Sequence, residues 1–235
     1  MYTIMNRSSA GMNVKSGNAS HTGINYANRA KKQQTETRGR IMQDKKRIRQ
    51  KLLQQLKTMS PSECRRRSEL VRQNLARLLN VLSGNVLAAF MAVDWECDLT
   101  AVVEAWQRDE GRTIYPRWID DGYRWVETNA QTEWGRGRFG ILEPEGPWKE
   151  WQEEDAIFLV PGIAFTTSGI RLGRGGGHYD RLLAGQRGVR IGICYQFQIM
   201  EQLPSQHHDI RMDFLVTDES LYHCMDETNQ KENTE

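Results

Sequence analysis

An α/β domain, layered, with a largely parallel sheet flanked by helices, is what this 235-residue sequence predicts. Three observations carry the expectation. Two long segments, beginning near Asp44 and Pro61, repeat apolar residues at helical spacing. Short, almost wholly apolar runs follow at 86–92, 156–160 and 189–194, as suits strands buried on both faces. Helices and strands then alternate, the order that winds a parallel sheet.

Taken in order, the first predicted helix places Ile48, Leu52, Leu56 and Met59 on one face, with Lys and Arg opposite. Ser60 is positioned to cap the second, Pro61 suits its first position, and Glu63 completes a capping box. Val71, Leu75, Leu78 and Leu82 form its buried stripe, and Gly84 marks its stop. The run 86–92 is the first buried strand. Asp98 caps a helix containing Val102, Val103 and Trp106, which ends at Gly111. Residues 113–118 read as a strand, and the Asp121-Gly122 turn returns 123–128 as its hairpin partner. Residues 129–152, with Trp134, Trp148 and Trp151, read as a long connection, and loops of that length are often functional. Residues 156–160 form a central strand ending at Pro161-Gly162, and 189–194 and 214–217 are two more. There is no internal repeat.

Composition sets the class. Hydrophobic residues make up 38% of the chain and charged residues 26%, a soluble globular balance. The net charge is +2, but the charge is unevenly placed. Arg7, Lys15, Arg29, Lys31, Lys32, Arg38 and Arg40 face Glu36 alone in residues 1–40, leaving a mildly acidic body. Residues 1–41 hold few apolar side chains and predict a disordered basic extension. Three readings of it stand: a tail without a role, an organellar targeting segment, and untranslated sequence ahead of a true start at Met42. The body is then 42–222, with a polar tail at 223–235. No run of about 18 apolar residues is present, so no helical span of a membrane is expected. Cys64, Cys97, Cys194 and Cys224 are scattered without a CxxC pair, which points to neither zinc nor a disulfide scaffold and fits a reducing cytoplasm.

Chemistry concentrates at residues 171–181 (RLGRGGGHYDR), where Gly173, Gly175, Gly176 and Gly177 precede a short helical segment. Glycines permit backbone conformations in which successive N–H groups converge, and a helix start adds more. Arg171 and Arg174 bring guanidinium forks suited to phosphate oxygens. The stretch predicts an anion cradle with polyphosphate as its guest; a flexible turn with solvated arginines is the plainer alternative. It is neither GxxxxGK[ST] nor GxGxxG, because His178 stands at the last glycine position. Asp180 follows directly. A carboxylate beside phosphate implies an intervening hard cation, Mg²⁺, and Asp213 offers a second ligand. His207, His208 and Asp209 read as solvated loop residues rather than metal ligands, and Lys45, Lys46, Arg47 and Arg49 as a solvated helix face.

Residues 159–165 (LVPGIAF) and 169–183 (GIRLGRGGGHYDRLL) closely resemble the signature of the 5-formyltetrahydrofolate cyclo-ligase family. Further pieces follow in family order: 45–49 (KKRIR), 95–98 (WECD), Pro116-Arg117, 139–144 (FGILEP), and 208–213 (HDIRMD) with Thr217. The resemblance covers about 42–220 and implies an α/β fold of the sugar-phosphate isomerase and CoA transferase type. It implies ATP and Mg²⁺ as cofactors, 5-formyltetrahydrofolate as substrate, and a monomer without nucleic-acid or membrane partners. By that resemblance Lys45, Arg49, Arg171, Leu172, Gly173, Arg174, Gly175, Gly176, Gly177, His178 and Tyr179 bind the nucleotide. Asp180 and Asp213 hold Mg²⁺, Met91 and Glu96 bind the folate, and Arg174, Gly176, His178 and Tyr179 face the reacting formyl group. Trp118, Trp125 and Trp134 are candidates to stack on the pterin, with packing roles as the default. The sequence departs from the family at His178, where Tyr is usual, and after Arg117, where a methionine-containing strand is missing. Three further readings stand beside this one: a paralogue with another substrate, a binding module using the basic arm on RNA, and a sugar-phosphate isomerase.

Overall fold

The computed structural model describes residues 20–93, 95–152, 155–205 and 209–224, with side chains from residue 39 onward. By internal packing the chain divides into two units, Met1–Met42 and Gln43–Glu235, and the sheet and site belong to the second. Helix α1 spans Ser20–Lys57, so the backbone of 20–41, expected to lack regular structure, is helical. Its Ala, Lys, Gln, Glu and Arg residues are strong helix formers, and extending an established helix costs far less than nucleating one. Residues 1–19 lie outside the described residues.

Helix α2, Pro61–Leu79, starts as its sequence dictates: the Ser60 hydroxyl accepts from the Glu63 backbone N–H at 3.2 Å. The reciprocal half of the capping box is not made. Arg66 and Arg67 take the Glu63 carboxylate instead, at 2.9 and 2.7 Å, and hold it down to a pKa of about 2. Strand β1 is Val86–Ala88, followed by α3, Thr100–Arg108. Asp98 stands one residue ahead of the α3 cap, its carboxylate accepting from the Thr100 backbone and hydroxyl. Strands β2, Arg112–Ile119, and β3, Gly122–Thr128, form the expected hairpin. The expected long connection is structured. It holds β4, Glu133–Arg136, β5, Leu142–Gly146, and the edge strand β6, Lys149–Glu150. A turn closed from Gly137 to Ile141 folds β4 onto β5, with Gly140 at φ 73°, a left-handed conformation that glycine adopts without strain.

Strand β7, Ala156–Pro161, is central, and a small hairpin of β8, Ala164–Phe165, with β9, Arg171–Leu172, follows it. Next come α4, His178–Leu183, β10, Gly188–Ile193, β11, Phe214–Val216, and β12, Leu221–His223. β12 thus ends one residue inside the segment expected to be a tail. The main sheet runs β12-β11-β10-β7-β1-β2-β3-β6, parallel from β11 through β2 and antiparallel beyond.

Two cores sandwich this sheet, and alternation along β7 shows why both are needed. Ile157 and Leu159 face Leu56 of α1, Val71, Leu75 and Leu78 of α2, and Val103 of α3. Phe158 and Val160 face Leu182 and Leu183 of α4, Phe165 of β8, and Trp125. A strand covered on both sides must be apolar at every position, as the run 156–160 is.

Candidate active site

The carboxyl ends of β1, β7 and β10 open into a small cavity whose lining includes Phe90, Trp95, Glu96, Gly162 and Gln198. In parallel sheets this is where ligands gather. The glycine loop, residues 173–177, lies at the same end between β9 and α4. Gly175 and Gly177 sit at φ 110° and 64°, conformations that a side-chain-bearing residue adopts only with strain, and Gly177 caps α4.

Cations ring the loop. Arg49, from the carboxyl half of α1, donates from Nε to the Gly173 carbonyl at 2.8 Å. One turn earlier Lys45 pairs with Asp209 at 2.9 Å. The helix face read as merely solvated therefore makes specific contacts, Arg49 with the glycine loop and Lys45 with Asp209. Arg171 is 4% exposed in its side chain; Nη2 holds Asp180 at 2.7 Å and Nη1 lies 3.4 Å from the Pro161 carbonyl. Its Nε is buried without a partner, a donor with capacity left for an anion. Leu172 contributes no polar side chain: it packs with Leu52, Ile163 and Leu203, and its carbonyl accepts from Ile163 N.

Across the loop, Glu96 is 9% exposed in its side chain. Arg174 reaches over the Trp95 ring, 4.8 Å from its centroid, and pairs with the Glu96 carboxylate. The other Glu96 oxygen accepts from Val93 N at 3.2 Å. Burial raises the Glu96 pKa above its ordinary 4.5, and the opposing pull of Arg174 does not cancel it. Met91 is half-buried against the core beneath. Burial likewise keeps the Tyr179 hydroxyl protonated, with the Arg171 guanidinium 5.6 Å from its ring centroid.

His178 is flanked by aromatic rings: Trp118 at 5.9 Å, Tyr123 at 5.4 Å and Phe139 at 5.3 Å between centroids. Its Nδ1 accepts from Arg181 at 3.1 Å. Burial, then Arg181 and Arg138, lower its pKa, so the ring is neutral near pH 7. Of the three tryptophans, Trp118 belongs to this group. Trp125 is buried, donating to the Leu182 carbonyl, and Trp134 is half-buried and packs edge-on against Tyr115, so both have packing roles.

The two aspartates expected to share a cation are held apart. Asp213 accepts from the Arg190 backbone N–H at 2.7 Å, and Arg190 pairs in register with Phe158, three residues short of Pro161, where Arg171 and Asp180 meet. Among the described residues no three His, Cys, Asp or Glu side chains gather as for a metal ion. Mg²⁺ bound largely through phosphate oxygens needs only one or two carboxylates, and Asp180 fits that demand better than Asp213. His207 and His208 lie outside the described residues.

Sequence reasoning missed Glu143 as a site residue, although its block (FGILEP) was visible. The side chain is buried, and it accepts from Trp118 N at 2.9 Å and from the Tyr123 hydroxyl at 3.0 Å.

A parallel sheet with a cation-ringed glycine loop and a buried carboxylate at its carboxyl edge defines an α/β enzyme that works at its strand ends. The comparisons narrow the class. A model of the 5-formyltetrahydrofolate cyclo-ligase family matches residues 41–218, and the chain belongs to that family. A 5-formyltetrahydrofolate cyclo-ligase of Mycolicibacterium smegmatis is 28% identical over 185 residues, covering 74% of this chain and 93% of the relative. The mitochondrial 5-formyltetrahydrofolate cyclo-ligase of Arabidopsis thaliana is 27% identical, with 75% of each chain covered. The solved 5,10-methenyltetrahydrofolate synthetase of Aquifex aeolicus superposes with a TM-score of 0.69 at 34% identity, covering 77% of this chain and 93% of that one.

Proposed function

We propose that this protein converts 5-formyltetrahydrofolate to 5,10-methenyltetrahydrofolate with consumption of ATP and release of ADP and phosphate. Family membership supports the reading. The observation that carries it in the structure is the meeting of Arg49, Arg171 and Arg174 at one glycine loop, with Arg174 reaching to the buried Glu96.

The chemistry asks for these parts. A formamide oxygen is a poor leaving group. Transfer of the γ-phosphoryl group to it makes phosphate the leaving group, N10 then attacks the formyl carbon, and departure of phosphate leaves the methenyl bridge. Phosphoryl transfer depends on positioning and on neutralising charge. On this reading Arg49 and Nε of Arg171 donate to phosphate oxygens, together with the N–H groups of the glycine loop and Lys45 one helical turn away. Glu96, protonated more readily than an exposed glutamate, is suited to hydrogen-bond a pterin edge. Mg²⁺ would supply further neutralisation of the polyphosphate, with Asp180 as its ligand. Among the described residues no helix is long and apolar enough to cross a membrane. Free cysteines, Cys97 and Cys194 among them buried, fit the cytoplasmic location we propose.

Purified protein mixed with 5-formyltetrahydrofolate, Mg²⁺ and ATP should generate methenyl-folate absorbance only when ATP is present, and Asp180→Ala should abolish it. Absence of product while ATP still raises the melting temperature would overturn the substrate assignment.

A further inference from the structure

We propose that Glu143 is a positioning residue for the reaction: its carboxylate bridges the Trp118 backbone and the Tyr123 hydroxyl, and so holds the aromatic cage that orients His178 beside the glycine loop. The inference rests on the functional reading above insofar as it places His178 at the reacting centre.

The placement of the carboxylate is unusual. Glu143 is buried on β5, and both oxygens are engaged by neutral donors, Trp118 N and Tyr123 Oη, with no cation among its partners in the described residues. Gly137 makes room for it, since a Cβ there would stand 2.1 Å from the Glu143 carboxyl carbon. A buried carboxylate without a cationic partner costs stability relative to an apolar residue of similar size. Its presence therefore argues for what it organises. Burial, reinforced by the Glu143 charge, keeps the Tyr123 hydroxyl protonated as the donor this bridge needs.

The bridge leads directly to the site. Trp118 and Tyr123 pack edge-to-face, 5.3 Å apart, and both present T-shaped contacts to the His178 ring. Phe139, on the turn that precedes β5, closes a third side. On the remaining side Arg181 donates one Nη2 to both the Gly176 carbonyl, at 2.8 Å, and His178 Nδ1. A guanidinium cannot accept a hydrogen bond, so Nδ1 is the acceptor in this contact and the ring's proton sits on Nε2. That nitrogen lies against the loop: a Cβ on Gly176 would stand 2.6 Å from it. The Arg181 contact thus selects one tautomer, the Nε2 edge of the ring lies beside Gly176, and Glu143 fixes two of the four walls that hold the ring there.

The test compares Glu143→Gln, Glu143→Leu and Tyr123→Phe. Glutamine can accept from Trp118 N and donate to Tyr123 Oη, so Glu143→Gln should stay within about threefold of the wild type. Glu143→Leu should lower kcat by about tenfold to a hundredfold, the scale of a misplaced reacting group, while the KM for ATP changes less than about twofold. Long-range proton–nitrogen spectra of the His178 imidazole should show the Nε2–H tautomer in the wild type and in Glu143→Gln. They should show a mixture of tautomers in Glu143→Leu and a smaller shift in Tyr123→Phe. Wild-type kinetics and imidazole signals in Glu143→Leu would overturn the proposal, as would equal losses in the Gln and Leu variants. If Glu143→Leu does not fold, Tyr123→Phe decides: unchanged imidazole signals overturn the proposal, and altered ones uphold it. If the wild type turns over no folate, the functional reading fails, and the imidazole spectra still decide whether Glu143 positions the ring.

Discussion

Glu96 and Glu63 are the same residue type with opposite titration, and their surroundings explain why. Arg66 and Arg67 stabilise the charged form of Glu63, which is partly open to solvent, whereas burial penalises the charged form of Glu96 more than Arg174 restores it. For Glu96 the folded-state pKa lies above the unfolded one. Between the two, the native state binds more protons than the unfolded state, so this residue's contribution is present below the unfolded pKa and is lost as pH rises through the folded one. Urea denaturation of wild type and Glu96→Gln at pH 4 and pH 7.5 checks this. The variant should gain stability relative to wild type on going to the higher pH; a constant difference would sink the assignment.

Elements show the same dependence on competition between local partners. Helix α2 begins where Ser60, Pro61 and Glu63 say it should, but only the serine caps it, because two arginines within one turn bind the glutamate better than the Ser60 backbone does. Ser60→Ala should therefore cost about 1 kcal/mol, read as a lower denaturation midpoint. Glu63→Ala should leave the cap intact and flatten the stability profile between pH 4.5 and pH 2. Segment 129–152 is the opposite case. Its Gly, Trp and Pro residues hide a hairpin whose strands are four and five residues long, too short for a period to declare itself. What holds them is the buried Glu143 reaching β2 and β3, a contact between positions 20 and 25 residues apart.

Across the whole molecule, the two sets of residues expected to bind different substrates touch. Arg174 belongs to the glycine loop and Glu96 to the segment after β1, and they pair with each other. On the proposed function, a phosphate that draws Arg174 toward itself would free Glu96 for the folate, so occupancy of one half should favour the other, reciprocally. A non-hydrolysable ATP analogue should tighten 5-formyltetrahydrofolate binding by about fivefold or more in calorimetric titrations, the usual scale of such coupling. In Arg174→Ala the two affinities should become independent; coupling that survives in the variant would refute this route.

The α/β class, the central place of 156–160, the hairpin of β2 with β3 and the glycine loop were legible because each rests on local order: period, apolar run length, turn residues. A parallel strand needs apolar residues at every position, and the chain states that outright. The tertiary structure alone decided which side chains share a place. It brought Arg49 of α1 to the loop and Lys45 to Asp209, seated Asp213 on the Arg190 backbone, gave Trp125 and Trp134 packing roles, and joined Glu143 to the Trp118 and Tyr123 that flank His178. Those outcomes depend on strand order and register, which arise from summed burial over the whole sheet. No local period encodes a contact between residues that meet only once the layers close.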